Sequence, residues 1–446
     1  MSALLPAEFS QMILVGLDGT AVDIRVGVIS VQFFEDILCP TISCRLTVVT
    51  AGGSVAGKGG DEVSLYEGLK LRGGERVQLR IEANTSNNAP IDRMSDPLFV
   101  RSIKNVMREE SKDFYEINLV SKEAYQNEIS FLNKKYSKDS TISDHVSGII
   151  SEFFPSTRNS DIESTSNPYG FMGNQMKPFE AITRLASESV PAESNSAGYF
   201  FFQTLKGLNF KSVDGLIREG KRSINPRKKY IYSEVAYNSI TFQPTPDLPS
   251  LDQKIASYEI NTNQDLIDKL RKGTYSTERK YFDPVTFKVT GPEKKFDTES
   301  YTSETLGNPF DPGEMDKSDL GIDFGQKPTK ILTGTFDRGT LDKEVSKEFT
   351  KDINEYQAQK RMRYNSLFTQ IMTMTVPLNT TVNAGDVIEC KVPQISNSKR
   401  PGFERGEVSG FYLIKELSHY YDSTGSYTSM KLLRDTYGID GVSTAQ

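Results

Sequence analysis

The chain has 446 residues, enough for roughly three domains, and 37% of them are hydrophobic, so a buried core is feasible. Its 53 Lys and Arg residues face 59 Asp and Glu residues, and the formal charge of −6 argues against a basic face that binds duplex DNA. An odd count of three cysteines excludes a disulfide framework, and the absence of a signal peptide or long apolar run predicts cytoplasmic synthesis without membrane insertion.

Short β-forming runs separated by glycines occupy residues 1–121. Residues 26–34 begin this series, and many short strands with glycine turns indicate a barrel or a sandwich. Residues 16–20 resemble a phosphotransferase loop with Asp18 as its nucleophile, but β-forming residues follow where a helix should, so we interpret them as a turn. The segment is therefore predicted to be a first β-barrel domain.

Residues 122–197 change to a helical period and are predicted to form a small inserted helical domain. Ser143 is expected to cap one helix, which ends before Pro155. Pro178 lies in the first turn of the next helix, and Phe179 begins its apolar side.

Residues 198–245 and 350–437 are predicted to form a second β-barrel domain. Between them, residues 246–349 are dense in polar residues, glycine and proline, so we expect a polar insertion or arm that is partly irregular. Residues 438–446 are predicted to be a flexible C-terminal tail.

The C-terminal stretch predicts four strands separated by turns. Gly385 and Asp386 supply turn chemistry before a β-rich run. In the strand after Gly410, alternation predicts that Leu413 and Leu417 share one face while Tyr412 takes the other.

The order of these landmarks resembles the baseplate hub subunit of contractile-tailed (myovirus) bacteriophages, a family related to type VI secretion spike proteins and phage tail hub proteins. One block is a helix that opens in Pro-Phe, an aromatic strand, a glycine turn and a strand with Phe. The other is a Gly-Asp turn, a strand that ends in Pro, a Gly-aromatic strand that leads to His, and a strand that closes in Arg-Asp. The residues that carry these motifs are Pro178, Phe179, Tyr199, Gly207, Phe210, Gly385, Asp386, Pro393, Gly410, Tyr412, His419, Arg434 and Asp435.

The resemblance implies a mainly β fold with an inserted α-helical region and two related antiparallel β-barrel domains. It implies a structural virion protein: a homotrimeric ring that adapts a threefold spike to the sixfold tail tube and surrounds the DNA passage used in genome ejection. The implied partners are a needle or lysozyme-type spike protein, the tail tube or its initiator, and baseplate wedge proteins. DNA would pass without specific binding, and the protein would be assembled in the host cytoplasm into the virion tail baseplate.

The residues give no catalytic, metal-binding or cofactor-binding constellation. His145 is expected at the surface or half-buried on a helix, His419 is expected to make a structural hydrogen bond, and two histidines with three dispersed cysteines form no zinc set. We therefore predict a protein that is not an enzyme. Two alternatives stay open: a tail-associated cell-wall hydrolase, for which only residues 246–349 leave room, and a carbohydrate- or receptor-binding tail protein, although the chain has no Trp.

Overall fold

The computed structural model describes residues 3–51, 55–56, 62–109, 112–155, 159–194, 197–233, 250–262, 265–284, 286–290, 296–297, 304–307, 328–335, 351–393 and 408–436. The N-terminal strands and helix are β1 Phe9–Val15, β2 Ala21–Asp23, β3 Val28–Asp36, β4 Ser43–Ala51, β5 Val55–Ala56, β6 Glu62–Val63, α1 Leu65–Gly68, β7 Arg76–Ile81, β8 Ile91–Asp92, β9 Leu98–Glu109 and β10 Lys112–Val120. The middle of the chain contains α2 Lys122–Ile129, β11 Lys135–Tyr136, α3 Ile142–Phe153, β12 Asn159–Ile162, β13 Phe171–Met172, α4 Pro178–Glu188, β14 Tyr199–Thr204, β15 Gly207–Ser212 and α5 Val213–Arg222.

The C-terminal half continues the series. Its elements are β16 Lys229–Tyr232, β17 Lys254–Ile255, β18 Ser257–Thr262, α6 Leu266–Lys272, β19 Ser276–Asp283, β20 Lys288–Thr290, β21 Phe296–Asp297, β22 Lys330–Thr335, α7 Lys351–Leu367, β23 Gln370–Pro377, β24 Val387–Lys391, β25 Gly410–Asp422 and β26 Ser426–Arg434. Short 3₁₀ turns lie at Arg25–Gly27, Pro226–Lys228 and Leu251–Gln253. Strands predominate, as the sequence predicts. The helices α2, α3 and α4 lie within the predicted helical region 122–197, whereas α5 lies within residues 198–245, which were predicted to be β-barrel.

Fifteen of these strands form one sheet that joins the two ends of the chain. The joint is the antiparallel pairing of β3 with the second half of β25, from Asp36 opposite Glu416 to Ser30 opposite Asp422. The first half of β25 pairs instead with β24, while β26 covers its other edge. The length of β25 therefore lets one strand belong to two neighbouring groups of strands.

The two ends of the chain repeat one pattern of strand pairing. We call β3, β4, β7, β9 and β10 the first β unit, and β18, β23, β24, β25 and β26 the second. In the first unit the spatial order is β7-β9-β10-β4-β3, and in the second it is β24-β25-β26-β23-β18, with every pair antiparallel. The chain order is also the same, so corresponding strands occupy corresponding places.

The same tight turn precedes the third strand of each unit. Gly74 has φ +92° and Gly385 has φ +88°, and each is followed by an acidic residue. Gly74 donates its N–H to the carbonyl oxygen of Val100 at 2.8 Å, and Gly385 donates to that of Ile414 at 2.8 Å. In return Val100 donates to Glu75 O at 2.7 Å and Ile414 to Asp386 O at 2.9 Å. The predicted Gly-Asp turn is confirmed, and it has a counterpart in the first unit.

A β-bulge also recurs at the same position in both units. Arg101 is the extra residue in β9, where the register shifts between Asn118 and Leu119, and Lys415 is the extra residue in β25. Because a bulge reverses the alternation of side chains, Leu417 joins the core of Tyr412 and Ile414. The prediction that Leu417 shares a face with Leu413 is therefore wrong, since strict alternation ignores the bulge.

Pairing in the second unit returns on itself. β16 pairs in parallel with β24 on one side and with β17 on the other. β18 begins one residue after β17 and pairs with β23. The circuit β24-β25-β26-β23-β18/β17-β16 surrounds one apolar cluster that includes Met372, Met374, Tyr412, Ile414 and Leu432. The first unit encloses a separate cluster, to which Tyr421 from β25 contributes.

The helical insertion has its own core, and its helices begin and end close to the predicted positions. Thr141 caps α3 through its side chain, which accepts from the N–H of Asp144. The prediction that Ser143 is the cap is wrong by two residues, because the capping box needs Thr141 and Asp144 three positions apart. His145, expected at the surface or half-buried on a helix, lies on α3 but is buried, and its Nε2 lies 2.8 Å from Tyr169 O.

Two placements bear on the predicted domain boundaries. β15 pairs with β14 on one side and with β12 of the helical region on the other, in a three-stranded sheet. Two strands lie within the predicted polar arm but join the second unit: β17 pairs with β16, and β18 pairs with β23. Other arm strands, β19 to β22, form a four-stranded sheet beside α7.

The repeated turn generates a prediction about two glycines. Alanine at either Gly74 or Gly385 would adopt a positive φ, which costs a residue with a Cβ about 1–2 kcal/mol. A Cβ at Gly385 would also lie 2.8 Å from the Phe202 ring, whereas one at Gly74 would lie 3.5 Å from a methyl group of Leu17. Gly385→Ala should therefore lower the free energy of unfolding more than Gly74→Ala. Urea denaturation measures both, and equal losses would contradict the account of the turn.

Candidate functional site

Three of the motif residues meet where β25 begins and β26 ends. The Arg434 side chain is buried, donates from Nη1 to Ser409 O at 2.9 Å, and lies 5.3 Å above the centre of the Tyr412 ring. Gly410 has φ +135°, and a Cβ there would lie 2.8 Å from Arg434 Nη2. The Tyr412 hydroxyl donates to Val408 O at 2.6 Å, and burial raises the pKa of Tyr412 above its usual value. Glycine at position 410 therefore makes room for the guanidinium that holds the two strands together.

Asp435, the next residue, enters a buried ion network on the other side of the strand. Arg363 of α7 contacts Asp214 of α5 at 3.0 Å and Asp435 at 2.7 Å, and all three side chains are at most 2% exposed. Asp435 also accepts the N–H of Leu306 at 2.9 Å. One guanidinium therefore joins two helices to the end of β26 and to residues 304–307. A fork of donors suits Arg for holding two carboxylates at once.

The turn of the second β unit is fixed by the Asp386 side chain. Its Oδ1 lies 3.0 Å from Lys228 Nζ, and its Oδ2 accepts the N–H of Asn383 at 2.9 Å. Gly385 packs against the edge of the Phe202 ring on β14. The turn thus links β24 to the helical region and to the short helix before β16.

A buried carboxylate that the sequence reading missed lies beneath this turn. Glu35 of β3 is 3% exposed, and its two oxygens accept the N–H groups of Leu205 at 2.6 Å and Ala384 at 2.8 Å. Burial raises the pKa of Glu35 to about 7, against the lowering effect of these two hydrogen bonds. The signal in the sequence was its place two residues after Phe33, on the side of the strand that faces the core.

The first motif block forms a separate aromatic core. Phe179, directly after Pro178 at the start of α4, stacks on Phe154 at 4.8 Å between ring centres. Tyr199 contacts Phe210 across the β14–β15 hairpin at 4.8 Å.

Gly207 begins β15 at the place where that strand meets β12. It has φ +145°, and a Cβ there would lie 1.8 Å from Asn159 O. Close approach of the two backbones therefore requires glycine at this position.

His419 has a structural environment. Its Nδ1 lies 3.0 Å from Thr428 Oγ1, its side chain is 1% exposed, and no described group bonds its Nε2. Burial lowers the pKa of His419 to about 4, so the imidazole is neutral at physiological pH. The remaining motif residue, Pro393, is half-buried and lies two positions after the end of β24.

The thirteen motif residues therefore divide among several structural junctions. Within the described residues, no cluster of three or more His, Cys, Asp or Glu side chains is placed to hold a metal ion. The same part of the chain has no helix that is long and apolar enough to cross a bilayer. The sequence reading also missed Arg363, because its partners Asp214 and Asp435 lie far from it in the sequence.

The buried network generates a prediction. Arg363→Met would leave the buried carboxylates of Asp214 and Asp435 without their cation, so the free energy of unfolding should fall by roughly 3–5 kcal/mol. Arg25→Met is a suitable control, because Arg25 and its partner Asp23 are both about half exposed, and stability should change little. Guanidinium denaturation measures both variants. A similar decrease in the free energy of unfolding for both variants would contradict a larger stabilising contribution from the buried network.

The environment of His419 predicts a pH dependence. Between pH 6.5 and pH 4, His419 binds a proton in the unfolded chain but stays neutral in the folded chain. Lowering the pH through this range therefore favours the unfolded chain and reduces the free energy of unfolding. Between pH 7 and pH 5 the wild type should lose about 2 kcal/mol relative to His419→Gln, which cannot take up this proton. Glu35 acts in the opposite direction, since its raised pKa favours the folded state at lower pH. Comparing the two proteins at each pH isolates the histidine, and a constant difference would contradict the assignment.

Comparisons with known proteins agree with this architecture. No family model and no curated protein matches the sequence. The chain is similar to the 43 kDa tail protein of prophage MuSo2 from Shewanella oneidensis, with a TM-score of 0.53 and 10% identity over 96% of this chain and 98% of that one. It is similar to the tail protein from Neisseria meningitidis MC58, with a TM-score of 0.52 and 10% identity over 95% and 96%. A weaker similarity, with a TM-score of 0.46 and 11% identity, relates 95% of this chain to 52% of a chain in the Francisella PdpA–VgrG complex. The chain therefore has the fold of the first two tail proteins, and the resemblance found in the sequence is confirmed at that level.

Proposed function

We propose that this protein is the central hub of a phage tail baseplate, a structural and non-enzymatic component of the virion. Three copies form a ring around the DNA passage, with a threefold spike on one side and the sixfold tail tube on the other. The observation that carries the proposal is the repetition of one β unit, with the same strand order, glycine turn and bulge, at the two ends of the chain. Likeness to tail proteins supports it.

The repeat gives the ring its two symmetries. We regard each β unit, with its flanking strands, as one barrel domain, and the closed circuit of pairing in the second unit supports this interpretation. Three chains then contribute six similar barrels, which present six similar surfaces to a sixfold tube. The insertions are not repeated, because α2 to α4 follow the first unit while β19 to β22 lie within the second. They preserve true threefold symmetry for the spike.

The predicted domain division remains part of this proposal, with two refinements. The first barrel spans residues 1–121, and the second was predicted from residues 198–245 and 350–437. The sheet formed by β12, β15 and β14 supports assigning β14 and β15 to the helical region instead of the second barrel. The pairing of β18 with β23 supports adding residues 254–262 to the second barrel. The remaining insertions are suited to contacts with baseplate wedge proteins on the outside of the ring.

The face of the sheet turned away from the cores fits the wall of a DNA passage. Gln32 donates to Ser418 Oγ at 2.8 Å across the junction, and the rings of Tyr420 and Tyr427 stack beside them at 4.7 Å. Charges on this face are mixed in sign, as where Lys431 approaches Glu416 at 3.7 Å. A polar wall without excess positive charge lets DNA pass without being held by its phosphates.

The proposal predicts the mass and shape of the purified protein. Light scattering or native mass spectrometry should give three times the mass of one chain, 49.9 kDa, and negative-stain images should show a ring with a central hole. A zymogram on peptidoglycan should show no clearing. Compact monomers that stay monomeric when a spike protein is added, or clearing of the cell wall, would contradict the proposed function.

A further inference from the structure

Two strands, β3 and β25, meet at the junction between the two β units, and in the described part of the chain no strand covers the corresponding edge of either counterpart. Within the chain, the outer edge of β3 pairs with the second half of β25. By the repeated strand order, the counterpart of β3 in the second unit is β18, and the counterpart of β25 in the first unit is β9. The chain therefore contains a second pair of edges of the type that forms its internal junction.

The edge of β9 is open over its second half. In the described part of the chain, β7 pairs with this edge only at Leu98 and Phe99, just as β24 covers only the beginning of β25. Beyond the shared bulge, the side chains of Val106 and Met107 are 48% and 63% exposed. Apolar side chains on an unpaired strand edge favour pairing with another strand.

The edge of β18 is open in the same sense. It pairs with β23 on one side, and none of the described strands pairs with its other side. Ile260 is 38% exposed, although its counterpart Phe33 is 1% exposed where β25 covers β3. Tyr258 is half-buried, whereas its counterpart Val31 is fully buried. Both inward-facing residues of β18 therefore lack the cover that their counterparts receive from a partner strand.

We infer that β18 of one chain pairs antiparallel with the second half of β9 in a second copy of this chain, repeating the β3–β25 junction between subunits. This inference rests on the proposed hub and names the contact that closes its ring. Because the two edges differ, the contact is head-to-tail, and rings follow when the rotation closes.

The internal junction also fixes the register. Gln32 opposite Tyr420 corresponds to Glu259 opposite Met107. Phe34 opposite Ser418 corresponds to Thr262 opposite Lys104, because Asn261 is the extra residue where the register of β18 shifts. Glu259 then lies diagonal to Lys104, so opposite charges meet across the contact.

Cysteine cross-linking tests this register. We would combine Met107→Cys and Glu259→Cys with Cys39→Ser, because Cys39 is half-buried while Cys44 and Cys390 are buried. Residues directly opposite in an antiparallel pair have Cα atoms about 4.5–5.5 Å apart, within reach of a disulfide. Mild oxidation should shift the band on a non-reducing denaturing gel from the mass of one chain to that of three.

Two matched variants control the experiment. Thr373 lies opposite Glu259 on β23, so Met107→Cys with Thr373→Cys places the cysteines one strand further apart, at about 9–10 Å, and should give no covalent trimer. Gln32→Cys with Tyr420→Cys tests the internal junction and should form a bond within one chain.

The outcomes separate the contact from the function. Native trimers in which the 107–259 pair links no better than the 107–373 pair would overturn the proposed register and leave the hub intact. A protein that forms no trimer, even when a spike protein is added, would overturn the self-pairing of these edges together with the proposed ring. Covalent trimers from the 107–259 pair alone would support both.

Discussion

Main-chain hydrogen bonding between β3 and β25 is the constraint on which the rest of the structure depends. It turns two groups of strands, separated by most of the chain, into one sheet. The pairing places Gln32 beside Ser418 and Phe33 beside His419, so the polar face and the buried face of one unit continue into the other. A shift of one residue would exchange these faces and bury the polar side chains. The register of this single contact therefore sets the relation between the two cores.

Buried polar groups hold the regions on either side of this junction in place. Glu35, on the junction strand itself, receives N–H groups from the β14–β15 turn and from the turn before β24. Arg363 joins α5, α7 and the end of β26. Such groups are costly to bury, and each is stabilised only when all its partners are present. These buried groups are therefore fully hydrogen-bonded only when the helical insertion, the first unit and the second unit are packed against one another.

The sequence predicted local structure well because local rules decided it. Pro178 at the start of a helix and Gly385 in a turn follow from backbone preferences that neighbours do not change. Leu417 was assigned to the wrong face because Lys415 forms a bulge, which alternation alone does not reveal. Glu35 and Arg363 were missed because their partners lie far away in the sequence, so their burial depends on tertiary packing. The family resemblance implied two related barrels, but the residues themselves did not reveal the repeat. The reason is that β18 and β23 are separated by more than a hundred residues, whereas their counterparts β3 and β4 are neighbours.

The difference between the two units explains how a protein with open strand edges avoids indiscriminate pairing. β9 has a second irregularity beyond the shared bulge, where Asn105 adopts φ +53°, and its far end carries Arg108 in ion pairs with Asp113 and Glu67. Bulges twist an edge and charges repel unmatched strands, so such an edge accepts few partners. β18 is suited to this edge. Its counterpart β3 pairs with β25, which is the counterpart of β9, inside the same chain. Repetition of the unit thus supplies both halves of the proposed contact between subunits, and the difference between the two edges makes that contact directional.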